Sequence, residues 1–365
     1  RAAATARSAE ATPDMVTATL TEAARMSEAV LAPLNRGGDL QGAYLENGVV
    51  RTSPGFADGY QAIAEGGYIG MAADPEFGGL GLPMAVTTAV NEMVGSACLS
   101  LQLNPLMTQG QIEALEHHAS DELKATYLPK LISGEWNGTM NLTEPQAGSD
   151  VGALRSKAEP NGDGTYAVTG QKIYISWGDN DFTANTCHLV LARLPDGVPG
   201  TKGISLFLVP KYIPDENGNP GKANDLKVVS LEHKLGLHGS PTCVLRFESA
   251  EATLIGTPGR GLPALFNMIE LMRLQVGVQG AGVAATCATL ARDYAGDRRQ
   301  GGRPDAAPVA IATHPDVRRQ LWLMEARALI AAALVVETAV TLGQAQGGDP
   351  EAATLSAFLL PLAKT

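Results

Sequence analysis

The sequence predicts an α+β protein with an N-terminal helical domain, a middle antiparallel β domain and an incomplete C-terminal helical bundle. Apolar residues recur at three- and four-residue spacing in the first and last thirds of the chain. In the middle third, short β-branched runs alternate with turn residues, and no ten-residue helical pattern separates them. That absence argues against a parallel doubly wound sheet, whose strands need intervening helices. We place the domains at 1–134, 135–256 and 257–365.

Two amphipathic patterns and one acidic start signal predict the helices of the first domain. Met15–Leu34 and Ala85–Leu103 each place their apolar residues on one helical face. Ser120 precedes the acidic pair Asp121-Glu122, which suits the positive end of a helix dipole. Between the helices, Asp74–Pro83 is rich in glycine and proline, which predicts a loop.

Six short apolar runs predict the strands of the middle domain, arranged as a compact antiparallel sheet or barrel. Asn161-Gly162-Asp163-Gly164, just before the first run, is a typical hairpin signal. The runs are Tyr166–Thr169, Lys172–Ile175, His188–Ala192, Ile204–Val209, Lys227–Leu231 and Cys243–Phe247.

After Pro263 the helical period returns and predicts the C-terminal bundle. Its patterns are Ala264–Arg299, Asp316–Leu342 and Pro350–Ala363. The last pattern is still helical where the sequence stops, and the first residue is not Met. We therefore expect a fragment, and we interpret Arg1–Ala11 as a ragged start rather than as a transit peptide.

Composition excludes several classes of partner. The 365 residues carry a formal net charge of −11, which disfavours nucleic acid or an anionic membrane as the main partner. No uninterrupted apolar run reaches the roughly 18 residues of a spanning helix, so we expect no integral membrane segment. The four cysteines, Cys98, Cys187, Cys243 and Cys287, lie far apart, which predicts neither a disulfide framework nor a metal site. A reducing, cytoplasmic location is the expectation.

Two motifs resemble the signatures of the acyl-CoA dehydrogenase family. Met140–Asp150 contains T-E-P-Q-A-G-S-D, similar to the family's T-E-P-x-A-G-S-D, and Gly170–Ser176 is similar to its G-x-K-x-W-I-T strand. The spacing and the domain order are also the family's, from about Gly67 onward. Tyr212–Asp225 and Glu232–Gly236 resemble the larger members, a subgroup that includes 3-methylmercaptopropionyl-CoA dehydrogenases and has a further C-terminal domain.

This resemblance implies a chemistry, a cofactor and partners. Family members use FAD to convert an acyl-CoA thioester to the trans-2-enoyl-CoA, as in fatty acid β-oxidation. A carboxylate removes the α-proton while the β-hydrogen leaves as hydride to the flavin. The resemblance further implies an electron-transfer flavoprotein as electron acceptor, and a homodimer or homotetramer.

Five residues match the family's flavin contacts. Leu142 and Thr143 match the positions that hydrogen-bond the pyrimidine end of the flavin. Tyr174, Ile175 and Ser176 match the tripeptide along the isoalloxazine ring, with Tyr and Ser in place of the commoner Trp and Thr. The alternative interpretations are a threonine in a local turn and an ordinary half-buried strand.

Four further residues match the family's CoA and phosphate contacts. Ser149 matches a serine that meets the CoA portion, or else serves only its own turn. Glu270 and Arg273 match residues that line the substrate channel, with a surface ion pair as the alternative. Arg298 matches an arginine that reaches the FAD pyrophosphate of a neighbouring subunit. Alternatively, it closes its helix against the dipole.

No residue of the chain matches the family's catalytic base. The usual base belongs to a G-G-x-G-Y-x-x-E segment, which the sequence does not contain, and a minority position corresponds here to Met272. We therefore expect the base beyond Thr365. The adjacent His117 and His118 diverge on a helix and predict no metal site.

Two other functions remain open at this stage. The first is an acyl-CoA oxidase or flavin monooxygenase of the same superfamily. The second is a catalytically degenerate protein that only binds acyl-CoA or FAD.

Overall fold

The computed structural model describes Ser8 and residues 11–365 of the chain, and it begins with a helical layer. Residues 1–7 and 9–10, most of the segment interpreted as a ragged start, lie outside the described residues. A π-helical turn, Ser27–Leu31, joins the first two helices. The predicted start at Ser120 is confirmed, because its hydroxyl accepts a hydrogen bond from Leu123 N at 3.4 Å. The helices of this layer are α1 (Pro13–Met26), α2 (Ala32–Leu40), α3 (Phe56–Glu65), α4 (Met84–His118) and α5 (Asp121–Ile132).

A short hairpin, β1 (Tyr44–Glu46) and β2 (Val49–Arg51), interrupts the helical layer and was not predicted. Strands of three residues are too short to show a period of two. The hairpin contacts the middle domain, where the Val50 backbone N–H donates to Asp179 Oδ2 at 3.4 Å. The first domain thus reaches the middle domain through strands as well as helices.

The middle domain is a closed sheet. β6 pairs with β7, β7 with β11, β11 with β5, β5 with β4, and β4 again with β6. Asn161 N donates to Thr165 O at 3.0 Å, which confirms the hairpin between β4 and β5. The strands are β3 (Trp136–Asn141), β4 (Lys157–Pro160), β5 (Tyr166–Ser176), β6 (Asn185–Arg193), β7 (Ile204–Pro210), β8 (Tyr212–Pro214), β9 (Pro220–Ala223), β10 (Leu226–Leu231) and β11 (Thr242–Ile255).

Two pairings correct the expectation of a purely antiparallel sheet. β3 pairs with β6 in parallel, from Trp136 opposite Asn185 to Asn141 opposite Val190, and β4 also meets β6 in parallel, at Lys157 opposite Arg193. A parallel pair needs a crossover that returns the chain to the starting end. The loop after Asn141 together with the β4–β5 hairpin supplies that crossover, so the sheet is mixed.

Three long helices form the C-terminal layer, α6 (Gly261–Asp297), α7 (Pro315–Gln346) and α8 (Pro350–Lys364). The predicted order of helices, sheet and helices is therefore confirmed. By length and composition alone, α6 and α7 are each long and apolar enough to cross a membrane. Charged residues interrupt the apolar residues of both helices, which is why the sequence shows no uninterrupted apolar run. In the structure, α6 packs against α4, α7 and α8.

The helix α4 attaches the helical layer to the sheet at several points. It bends at Cys98, whose φ of −151° and ψ of 83° are not helical. Just beyond the bend, Ser100 O accepts a hydrogen bond from the buried indole N–H of Trp177 at 3.1 Å. Further along α4, the hydroxyl of Thr108 accepts from Gly138 N at 3.0 Å. These contacts set β3 and the end of β5 against the helical domain.

Candidate functional site

The signature loop after β3 folds back on itself. Glu144 N donates to Ala147 O at 2.8 Å, and Ala147 N donates to Glu144 O at 3.0 Å. The turn brings Gly148 so close to Thr143 that a Cβ on the glycine would lie 3.4 Å from the threonine methyl. Ser149 follows in an exposed position. The turn therefore places Gly148, the residue before the exposed Ser149, against Thr143.

The tripeptide Tyr174–Ser176 lies at a β-bulge in β5. Lys172 faces Leu245 of β11 and Ile175 faces Cys243, so two residues of β5 share a single partner position. Tyr174 takes a left-handed φ of 61°, and its side chain is 61% exposed. Bulges commonly re-aim a side chain beside a functional site. Here the bulge turns the tyrosine outward and leaves Ile175 buried beneath it.

The loop and the bulge are directly joined, because Ile173 N donates to Thr143 O at 2.9 Å. The structure thus brings together the five residues predicted to contact the flavin. Across the described residues, the hydroxyls of Thr143, Tyr174 and Ser176 have no hydrogen-bond partner in the protein. Free hydroxyls around an exposed aromatic ring fit the polar edge and flat face of a flavin. Their individual roles remain predictions.

A buried ion pair that the sequence did not single out lies beneath this surface. Lys172 Nζ is 2.8 Å from Glu144 Oε1, with side-chain exposures of 0% and 3%. Lys172 also donates to Leu142 O at 3.0 Å. Glu144 accepts from Ser156 Oγ at 2.6 Å and from Arg155 N at 2.7 Å. Glu144 and Lys172 each lie within one of the two family motifs, and this was the only feature of the sequence that pointed to either residue.

The two charges of this pair have shifted pKa values. Burial alone would raise the pKa of Glu144, but the Lys172 ammonium and the hydrogen bonds from Ser156 and Arg155 outweigh it and lower the pKa to about 2. Burial lowers the pKa of Lys172, and the attraction of Glu144 opposes that change. The pair is therefore held ionised chiefly by its own contacts.

The predicted substrate residues on α6 lie apart from the β-domain residues in the sequence and on a different element. Glu270 is exposed, and Arg273 is half-buried with its guanidinium carbon 5.9 Å from the centre of the Phe266 ring. Within the described chain these two residues do not form the ion pair that was the alternative interpretation. Met272 is buried, and its thioether cannot take up a proton.

Arg298 lies at the opposite end of α6 from Glu270. At 1.5 Å per residue the two are about 40 Å apart along the helix axis. The Arg298 side chain is exposed, and its backbone N–H donates to Tyr294 O at 2.8 Å as the helix ends. The structure therefore does not bring Arg298 together with Glu270 and Arg273, the predicted substrate residues of its own chain.

The two adjacent histidines contact different groups. His117 Nδ1 is 2.9 Å from Glu113 O, and His118 Nε2 is 2.9 Å from Asn267 Oδ1. Among the residues described by the structure, no group of three or more His, Cys, Asp or Glu side chains could hold a metal ion.

Comparisons with known proteins agree with the domain order. Models of the acyl-CoA dehydrogenase N-terminal, middle and C-terminal domains match residues 42–135, 139–250 and 259–361. The chain is 44% identical over 360 residues to 3-methylmercaptopropionyl-CoA dehydrogenase of Ruegeria pomeroyi, covering 96% of this chain and 61% of that protein. It is 37% identical over 321 residues to a butyryl-CoA dehydrogenase of Syntrophomonas wolfei, covering 82% of this chain and 52% of that protein.

A solved structure, Caenorhabditis elegans ACDH-11 in complex with C11-CoA, matches with a TM-score of 0.82 at 25% identity, covering 96% of this chain and 60% of that one. The chain thus spans about three fifths or less of the length of these three proteins. Because three consecutive domain models of one family account for residues 42–361 almost without a gap, the chain belongs to the acyl-CoA dehydrogenase family.

Proposed function

We propose that the protein is an FAD-dependent acyl-CoA dehydrogenase that forms a trans-2-enoyl-CoA and passes electrons to an electron-transfer flavoprotein. The main support for this proposal is the contact between Leu142–Thr143 and the strand segment Tyr174–Ser176, which the hydrogen bond from Ile173 N to Thr143 O joins. Among the described residues, the hydroxyls beside this contact have no hydrogen-bond partner in the protein. A flavin-dependent family supplies the chemistry that such a surface serves. The acceptor protein rests on family resemblance.

The β-domain residues would hold the cofactor. Thr143 and the Leu142 backbone would meet the pyrimidine end, and Tyr174, Ile175 and Ser176 would lie along the ring system. The hydroxyl of Ser176 can donate one hydrogen bond, as the commoner threonine would. When bound, FAD supplies the hydride acceptor.

The remaining predicted residues would position the thioester. Ser149 is exposed on the signature loop, next to Gly148, where it can meet the CoA portion. Arg273 offers a fixed positive charge, and Glu270 an acceptor, on the neighbouring turn of α6. Holding the thioester in one geometry lowers the entropic part of the barrier. The base that removes the α-proton remains a prediction for a residue beyond Thr365.

The substrate class can be tested by anaerobic absorbance titration of the protein from its complete reading frame. Because the Ruegeria pomeroyi relative is named for it, 3-methylmercaptopropionyl-CoA is the first thioester in the panel, followed by butyryl-CoA. We expect a yellow protein that one thioester bleaches, and that electron-transfer flavoprotein then reoxidises. Fast reoxidation by air would favour the oxidase alternative. A colourless protein, or a yellow one that no thioester bleaches, would contradict the proposal.

A homodimer or homotetramer is part of the same proposal. Trp322, Leu329 and Val336 lie at seven-residue spacing on α7 and are 64%, 73% and 51% exposed. A continuous apolar stripe of this kind is typical of an association surface. Light scattering should report two or four chains for the wild type, and fewer for Leu329→Asp. Gln320→Asp, an exposed polar position of the same helix, should leave the mass unchanged. A monomeric wild type at micromolar concentration would refute this part.

A further inference from the structure

We propose that Lys172 and Glu144 are positioning residues that hold the signature loop and the β5 bulge at the separation that FAD requires. This inference rests on the proposed function. The two residues touch no ligand in it. They act through Leu142, Thr143 and the bulge, whose places they determine.

Lys172, a buried residue of β5, connects β5 with the signature loop by hydrogen bonding. Its Nζ donates to Leu142 O at 3.0 Å, and the next residue, Ile173, donates its backbone N–H to Thr143 O at 2.9 Å. Two consecutive residues of β5 therefore bond two consecutive residues of the loop. The bulge at Tyr174 follows at once, so the same short stretch sets both surfaces.

Glu144 anchors the other end of the loop. Its Oε1 accepts from Ser156 Oγ at 2.6 Å and from Ser156 N at 3.1 Å, and its Oε2 accepts from Arg155 N at 2.7 Å. These contacts connect the residue after Thr143 to the chain just before β4. The loop between them is thus closed by one carboxylate, which Lys172 holds in turn.

Stability alone does not explain the pair. Removing two charges from water costs much of what their attraction returns, and apolar residues of similar volume often replace such pairs without loss of stability. Apolar side chains would fill the space but could not donate to the Leu142 carbonyl. The directional bond is therefore the property that distinguishes the ion pair from a packed core. A shift of about 1 Å in a binding segment is enough to weaken ligand binding.

The test compares FAD affinity with stability in the double variant Lys172→Met/Glu144→Leu. Apoprotein is prepared, its thermal midpoint is measured, and FAD is titrated by fluorescence quenching. We expect a midpoint close to that of the wild type, FAD binding weakened about tenfold, and a flavin absorption band shifted towards that of free FAD. Wild-type stability combined with wild-type FAD affinity would overturn the inference.

A cavity variant controls for general loosening of the domain. Val209→Ala removes buried methyl groups from β7 inside the closed sheet, on a strand that pairs with neither β3 nor β5. It should lower the thermal midpoint but leave FAD affinity within about threefold of wild type. If FAD affinity falls with stability equally in both variants, the pair is structural only.

The experiment also provides for a double variant that does not fold, and it distinguishes failure of the positioning role from failure of the proposed function. If the double variant does not fold, Lys172→Met/Glu144→Gln takes its place, because it removes both charges and keeps an acceptor for Ser156 and Arg155, and it is compared with Val209→Ala at a temperature where both are folded. A wild-type protein that binds no FAD would refute the proposed function. A yellow wild type whose double variant binds FAD equally well would refute the positioning role alone.

Discussion

Gly261→Ala is expected to destabilise the protein by about 3 kcal/mol, a large effect for one added methyl group. Gly261 is the first residue of α6, and a Cβ there would lie 2.4 Å from Ser205 C and 2.5 Å from Leu206 N. Both atoms belong to the backbone of β7, so no side-chain rotation can relieve the clash. The helix or the strand must move instead.

The displacement should also reach the predicted substrate residues, because Glu270 and Arg273 lie on later turns of α6. Urea unfolding followed by circular dichroism measures the loss of stability. Gly280→Ala and Gly296→Ala are matched controls on the same helix, since neither added Cβ would have a neighbour within 4 Å. They should gain roughly 0.5–1 kcal/mol, because alanine favours the helix. Equal stability of all three variants would show that α6 does not pack on β7 as described.

Local periodicity was sufficient to predict the long helices. The pattern Asp316–Leu342 became α7, Pro315–Gln346, and Ala264–Arg299 became α6, Gly261–Asp297. Each carries an apolar face over many turns, so errors are confined to the ends. Pattern alone was less successful for α4, which continues through Pro105 well beyond the predicted Leu103.

The strands show where sequence pattern fails. β5 was predicted as two runs because Gly170 and Gln171 interrupt the apolar residues. In the structure Gly170 stays paired with Phe247, and a Cβ there would lie 2.2 Å from Ser156 Oγ. The glycine thus permits a close approach rather than ending a strand. β3 is buried but rich in polar residues, so it lacks the apolar run that predicts a strand. Its parallel partner β6 is distant in sequence, so no local pattern could predict their pairing.

The candidate site likewise has a part that the sequence predicted and a part that it did not. The motif resemblance was sufficient to single out the residues that the structure groups, Thr143 and Tyr174 among them. It did not indicate that Glu144 and Lys172, separated by 28 residues, form a buried pair. Such a pair depends on strand register and loop closure, which hydrophobic periodicity does not report.

Glu144→Gln is expected to lower the free energy of unfolding by about 3 kcal/mol near neutral pH, because the buried Lys172 ammonium loses its counter-charge. The amide keeps the size of the side chain, so the loss reports charge rather than volume. Urea midpoints of variant and wild type measure it. Glu248→Gln is the control, since its partner Lys227 and Glu248 itself are both about half exposed, and such exposed pairs contribute little to stability.

The same variant should change the acid dependence of stability in a defined direction. The pKa of Glu144 falls from 4.5 to about 2 on folding, so its contribution is complete above pH 4.5 and is lost as the pH falls towards 2. Glutamine does not titrate, so the deficit of Glu144→Gln should shrink as the pH is lowered through that window, while the small deficit of Glu248→Gln stays small. A deficit of the same size at about pH 6 and about pH 3 would mean that Glu144 is not held ionised in the folded protein. The deficit would then report a lost hydrogen bond rather than an ion pair, and Lys172 would need another counter-charge to remain buried at the base of the loop.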